Sequence, residues 1–184
     1  MIIPIYLYGQ PVLRKVAEDI TPDYPNLKEL ISNMFETMDN ADGVGLAGNQ
    51  IGLPIRLVVV NLNYISDKHP EYKGFRKAYI NARVVSTEGE EKEVEEGCLS
   101  IPGIHEMVKR RNKARVKYMD ENFIEHDEIV EGYLARVMQH EFDHLEGKLF
   151  IDYISPLRKQ MVRGKLNGFL RGKFRCAYKV KAIK

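Results

Sequence analysis

The stretch Tyr133-Leu134-Ala135-Arg136-Val137-Met138-Gln139-His140-Glu141-Phe142-Asp143-His144-Leu145 decides how this chain is read. Leu134, Val137, Met138 and Leu145 recur at helical steps, which predicts an amphipathic helix from about Glu131 to Leu145, ended by Gly147 as its C-cap. On it His140 and His144 stand four residues apart on one face, so both imidazoles can reach a single metal ion. Glu141 is turned about 100° from His140. It stands beside the ion, where a carboxylate can take a proton from an activated water.

Two histidines leave a metal short of ligands, because a catalytic site typically has three protein donors and a water. No histidine follows His144, Glu146 faces away, and Asp152 lies beyond the helix end. Upstream, Glu96-Gly97-Cys98-Leu99-Ser100 offers a thiolate between a flexible glycine and the turn-prone Ser100-Ile101-Pro102-Gly103. Thiolate suits zinc and ferrous iron alike. Taken locally, Cys98 reads equally as a ligand or as a buried free thiol, whereas Cys176 reads as a passenger in a basic tail.

Outward from the helix, Leu27, Leu30, Ile31, Met34, Phe35 and Met38 predict a first helix over about Leu27 to Asp39, with Asn26 and Glu29 as a capping pair. Gly43-Val44-Gly45-Leu46-Ala47-Gly48 reads as a glycine-rich turn and Arg56 to Asn61 as a buried strand. Asn63 to Arg76 reads as a surface excursion, with strands expected near Ala78 to Val85 and from Met107 to Met119. Glu88 to Glu96 holds six Glu in nine residues and reads as a solvated hairpin. Ser155-Pro156 starts a third helix reaching about Arg171. Strands grouped before a central helix predict an α+β fold: antiparallel or mixed sheets around the metal-binding helix, with an N-terminal helix and a basic C-terminal one.

The 184 residues suffice for one domain that buries roughly 70% of its unfolded surface without disulfide or metal staples. No apolar run approaches a membrane span, and the start of the chain lacks the build of a signal peptide, so a cytoplasmic protein is expected. The net charge of +2 is an average: residues 155–184 carry +10 and the preceding 154 carry −8. Such a split suggests a polyanionic partner at the basic end.

Three ordered motifs, Gly43-Val44-Gly45-Leu46-Ala47-Gly48-Asn49-Gln50, Glu96-Gly97-Cys98-Leu99-Ser100 and Gln139-His140-Glu141-Phe142-Asp143-His144, resemble those of the peptide deformylases. The resemblance runs from the first helix through Phe150. It implies removal of the formyl group from the N-terminal formylmethionine of new polypeptides, with Cys98, His140 and His144 as metal ligands and Glu141 as general base. Gln50 and the Leu99 N–H are implied as oxyanion donors, and the backbones of Val44, Gly45 and Gly97 as partners of the peptide. Tyr133 and Val137 would line the methionine pocket, with Val44 and His105 near its rim. The motif departs from the family at Gly48, where a second alanine is common, and glycine is expected to loosen the loop that carries Gln50.

The resemblance also implies ferrous iron as the ion in the cell, with zinc, nickel or cobalt able to replace it. It further implies a ribosome contact through the basic C-terminal segment, whose removal is expected to spare small-peptide turnover if the fold survives. A monomer is expected. Two other readings share features of the chain: a small metalloprotease, and an RNA-binding module with a structural zinc, which would need a fourth protein ligand.

Overall fold

The computed structural model describes all residues from Met1 to Lys184. In chain order the elements are β1 (Ile5–Tyr6), α1 (Leu27–Asn40), β2 (Gly45–Ala47), β3 (Leu57–Asn61), β4 (Arg76–Cys98), β5 (Ile101–Met119), β6 (Glu125–Glu131), α2 (Gly132–Leu145), α3 (Pro156–Leu170) and β7 (Val180–Lys181). Strands β2 to β6 form an antiparallel sheet in sequence order, and β1 pairs with β7 in parallel. The fold is α+β with mixed sheets, as expected.

The sheet lies between two helices. All five residues of β3 are buried because both of its faces are covered. Val58 and Val60 pack with Val137, Met138 and Phe142 of α2, while Leu57 and Val59 pack with Met34 and Met38 of α1. The apolar face of α2 thus rests on the sheet, and its histidines lie at the margin of that core. Gly147 has φ +70° and ends the helix, with its N–H on His144 O and that of Lys148 on Asp143 O. A Cβ there would also lie 2.6 Å from the Arg14 carbonyl oxygen, so only glycine fits.

The acidic run is solvated, but it is one arm of a long hairpin and not a hairpin by itself. Glu88 to Glu96 lies in the second half of the 23-residue β4, and Glu88, Glu91 and Glu93 stand opposite Lys113, Arg111 and Lys109 of β5. Opposite charges across an exposed ladder favour pairing over a turn. The chain reverses at Leu99 and Ser100 instead, so Cys98 closes the ladder opposite Ile101, just after a bulge that re-aims it.

Several other expectations change. Asn26 adopts a left-handed conformation (φ +55°) and its side chain caps nothing, so no capping pair forms with Glu29. The glycine-rich turn contains the short strand β2, and β6 runs directly into α2. The excursion after β3 contains two 3-10 turns and buries Tyr72, whose hydroxyl accepts the Leu134 N–H (3.2 Å) at the start of α2.

Helix α3 starts as expected, with Ser155 Oγ accepting the Arg158 N–H at 3.2 Å. Val162, Leu166 and Phe169 then pack against Leu7, Ile101, Val108 and Phe150, and the chain returns to β1. The apolar face of the basic segment is therefore part of the core. No helix is long and apolar enough to cross a membrane.

Candidate metal centre and active site

Strand β4 delivers Cys98 and helix α2 delivers His140 and His144, with the three ligand atoms all within 4.8 Å of one another. Cys98 Sγ lies 3.5 Å from His144 Nε2, and the two imidazole rings meet edge to face. His140 Nδ1 is 2.8 Å from Glu96 Oε1, an arrangement that orients the ring and leaves Nε2 for the centre. Burial and the neighbouring His140 push the pKa of His144 well below its ordinary value, which keeps its lone pair available. Burial works against charge on His140, but the Cys98 and Glu96 acceptors outweigh it and raise its pKa.

A soft thiolate and two imidazoles around one point, with a carboxylate behind one ring, fit a divalent ion with an open position.

The sequence assigns Glu96 no role, yet its carboxylate is the hub beneath the centre. It accepts from Arg110 Nε (2.7 Å) and Nη2 (3.0 Å) and from Arg136 Nη1 (2.6 Å), and Arg110 Nη1 reaches Asp143 Oδ2 (2.8 Å). Burial alone would raise the pKa of Glu96, but the His140 and Arg110 hydrogen bonds bring it down to about 2. Arg136 also donates to the carbonyls of Val108 and Lys92, stitching α2 to both long strands. Its helical position could have been noticed from sequence, but its partners are too distant along the chain.

Glu141 is buried, and its Oε2 has no partner within the protein. Burial pushes its pKa up to about 7. Gly45 of β2 makes room for it, since a Cβ there would lie 2.6 Å from the Glu141 carboxyl carbon. Gln50 is buried with its amide oriented: Oε1 accepts the Ala47 N–H (2.9 Å), and Nε2 points at Ser100 Oγ (3.2 Å) and Cys98 Sγ (3.5 Å).

The loop carrying Gln50 is not loosened by Gly48. A Cβ at Gly48 would lie 2.7 Å from Ile55 O and 2.8 Å from Leu53 O, so glycine permits tight packing of backbone on backbone. Asn49, also missed, pins the same loop by donating to Val12 O and Lys15 O.

The Leu99 N–H donates to no protein acceptor, which leaves it available at the hairpin tip. Strand β2 is the edge of the sheet. Because Val44 O accepts the Asn61 N–H, the alternation of an antiparallel ladder turns the polar backbone groups of Gly45 away from β3, toward the open edge. The carbonyl of Val44 is already used within the sheet.

A cleft of about 350 Å³ joins Val44, Gly45, Gln50, Gly97, His140 and Glu141, and His105 and Tyr178 also line it. A side pocket of about 150 Å³ is lined by Val44, Gly97, Tyr133, Arg136, Val137 and His140. Tyr133 and Val137 are therefore brought together with the centre. His105 lies in the main cleft and outside the side pocket, with its ring against Gly97.

Residues 2–160 match the family described as Polypeptide deformylase. The chain is 50% identical to the peptide deformylase of Flavobacterium johnsoniae over 188 residues, covering 98% of this chain and 96% of that one. Its fold is similar to the crystal structure of a peptide deformylase from Legionella pneumophila, with a TM-score of 0.81, 42% identity, and 94% and 98% of the two chains covered. The peptide deformylase of Plasmodium falciparum superposes with a TM-score of 0.82 at 36% identity, covering 91% and 95%. With a three-donor centre and near-complete coverage on both sides, this chain belongs to the peptide deformylase family, metal-dependent hydrolases that remove the N-terminal formyl group of new polypeptides.

Proposed function

We propose that Cys98, His140 and His144 hold the divalent ion of this deformylase and that Glu141, Gln50 and the Leu99 N–H carry out the chemistry around it. The observation that carries this reading is the Glu141 carboxylate, buried with an unpartnered oxygen beside three convergent donors. When bound, the ion supplies Lewis acidity that lets a water ionise near neutral pH.

Glu141 accepts the proton of the attacking water and passes it to the amine nitrogen as the formyl C–N bond breaks, giving formate and a free amino terminus. Gln50 Nε2 and the Leu99 N–H meet the oxygen that gains charge, each donor being worth roughly 3 to 4 kcal/mol in comparable hydrolases. The peptide lies as an added strand against Gly45 and Gly97, with Val44 beside it. Its methionine side chain enters the side pocket between Tyr133 and Val137, and His105 borders the cleft beyond.

The ion in the cell is ferrous iron. Zinc, nickel and cobalt can occupy the same donors, and affinity trends favour nickel and zinc over iron in purified protein. The enzyme works as a cytoplasmic monomer comprising one catalytic domain, and its basic C-terminal segment meets the ribosome. Glu141→Gln should retain the metal and lose on the order of 10²- to 10⁴-fold in kcat. Anaerobic turnover of a formyl-Met peptide and its acetylated analogue, with metal content measured in parallel, tests this. Substantial activity in the variant, or equal cleavage of both peptides, would refute it.

A further inference from the structure

The chain end returns to the active site. Beyond α3, Lys179 O accepts the Ile5 N–H and Lys181 O accepts the Leu7 N–H, each at 3.0 Å, which locks β7 beside β1. Just before β7, the Tyr178 hydroxyl donates to Leu99 O at 2.6 Å, and its ring lines the cleft. The carbonyl it holds belongs to the Leu99–Ser100 peptide unit. The N–H of that unit donates to Cys98 Sγ at 3.4 Å. One rigid peptide plane therefore links the phenol to the sulfur.

We propose that Tyr178 is a positioning residue that fixes this plane and thereby holds the Ser100 N–H on the Cys98 sulfur. The inference rests on the reading of Cys98 as a metal ligand. Hydrogen bonds in a chain polarise one another, so donation to the carbonyl makes the N–H a better donor to the thiolate. A thiolate that receives this N–H gives less charge to an ion, leaving the ion the stronger Lewis acid. Burial raises the pKa of the phenol, so it stays a donor throughout the working range. The same bond anchors the hairpin tip that bears the Leu99 N–H. The C-terminal return is thus part of the active site's support, although its sequence lies outside all three motifs.

Tyr178→Phe keeps the ring and removes only the donor. In protein loaded with cobalt(II), the thiolate-to-cobalt charge-transfer band should move to lower energy in the variant, because the sulfur becomes more electron-rich. Turnover of a formyl-Met peptide should fall roughly tenfold, in kcat more than in KM. A purely structural role would lower the melting temperature and leave the band of the folded protein in place, and that result overturns the proposal. An unchanged band with unchanged kcat does so as well. Absence of the band in the unaltered protein would instead remove Cys98 from the ligand set, and with it the premise.

Discussion

The carboxyl group of Glu141 lies against the α-carbon of Gly45, so closely that a methyl group on Gly45 would stand 2.6 Å from the carboxyl carbon. The second glycine of the loop is therefore a space requirement set by the Glu141 carboxyl group. Gly45→Ala should displace Glu141 by about the width of the overlap. A misplacement on the order of 1 Å can cost on the order of 100-fold in rate. We expect that loss in kcat with metal content unchanged, as measured by turnover and elemental analysis on the same preparation.

Glu96 places the largest electrostatic demand on the fold. Its carboxylate is shared among Arg110, Arg136 and His140, and all four side chains are nearly enclosed. Removing a buried partner leaves charges unpaired in a poorly solvated place, a loss of about 3–5 kcal/mol. Glu96→Ala should lower stability toward urea by that order and weaken metal affinity roughly 10- to 100-fold, because His140 loses its orienting acceptor. Stability at the unaltered level would mean that the arginines find other partners.

How far these features could be read from sequence depends on how local their causes are. The α2 helix and the common face of His140 and His144 follow from a periodicity within fourteen residues, and the third helix follows from Ser155-Pro156. The length of β4 does not follow from its own residues. Glu88 to Glu95 is solvent-exposed in the fold as well, but its pairing with the basic run of β5 is something sequence alone does not register. Strands β1 and β7 have two residues each and lie at opposite ends of the chain, so neither has a periodicity to detect. Likewise, the motifs contain Cys98, Gln50 and Ser100, but the phenol that holds the Leu99 carbonyl comes from Tyr178, outside all three.

Asp152 gives a pH-dependent contribution to stability. Its carboxylate accepts Arg14 Nη1 (2.7 Å) and Nη2 (3.1 Å) and also the Leu149 N–H (2.9 Å), tying the segment after α2 to the turn at Pro11–Arg14. Burial pushes its pKa up, but these donors outweigh it and hold the group below its ordinary 3.8. A depressed carboxylate stabilises the fold above its unfolded pKa and loses that contribution as pH falls through the folded value. Asp152→Asn should therefore melt at a lower temperature than the unaltered protein at pH 7. The gap should close as the pH is taken below 3.8. Melting curves at both ends of this range would show whether it does, and a constant gap would assign the effect to shape instead of charge.

The basic segment calls for a test that leaves its apolar face alone. Val162, Leu166 and Phe169 are buried, so cutting the chain at Ser155 would expose Leu7, Ile101 and Phe150 and disturb the site through the core. Loss of activity after such a cut would say nothing about a partner. On the exposed surface of α3, Lys159, Arg163 and Lys165 flank the buried stripe, and none makes an ion pair within the protein. Changing these three to Glu reverses the charge of that face while retaining its packing. If the face binds ribosomal RNA, association should weaken strongly and lose part of its steep salt dependence, because fewer counterions are released. Turnover of a small formyl-Met peptide should stay within about twofold, since none of the three touches the cleft. Co-sedimentation with ribosomes across a salt series, beside peptide kinetics, separates the two roles. Unchanged co-sedimentation would leave the +10 segment as a solvated surface whose contribution is its packing and its return to Leu99.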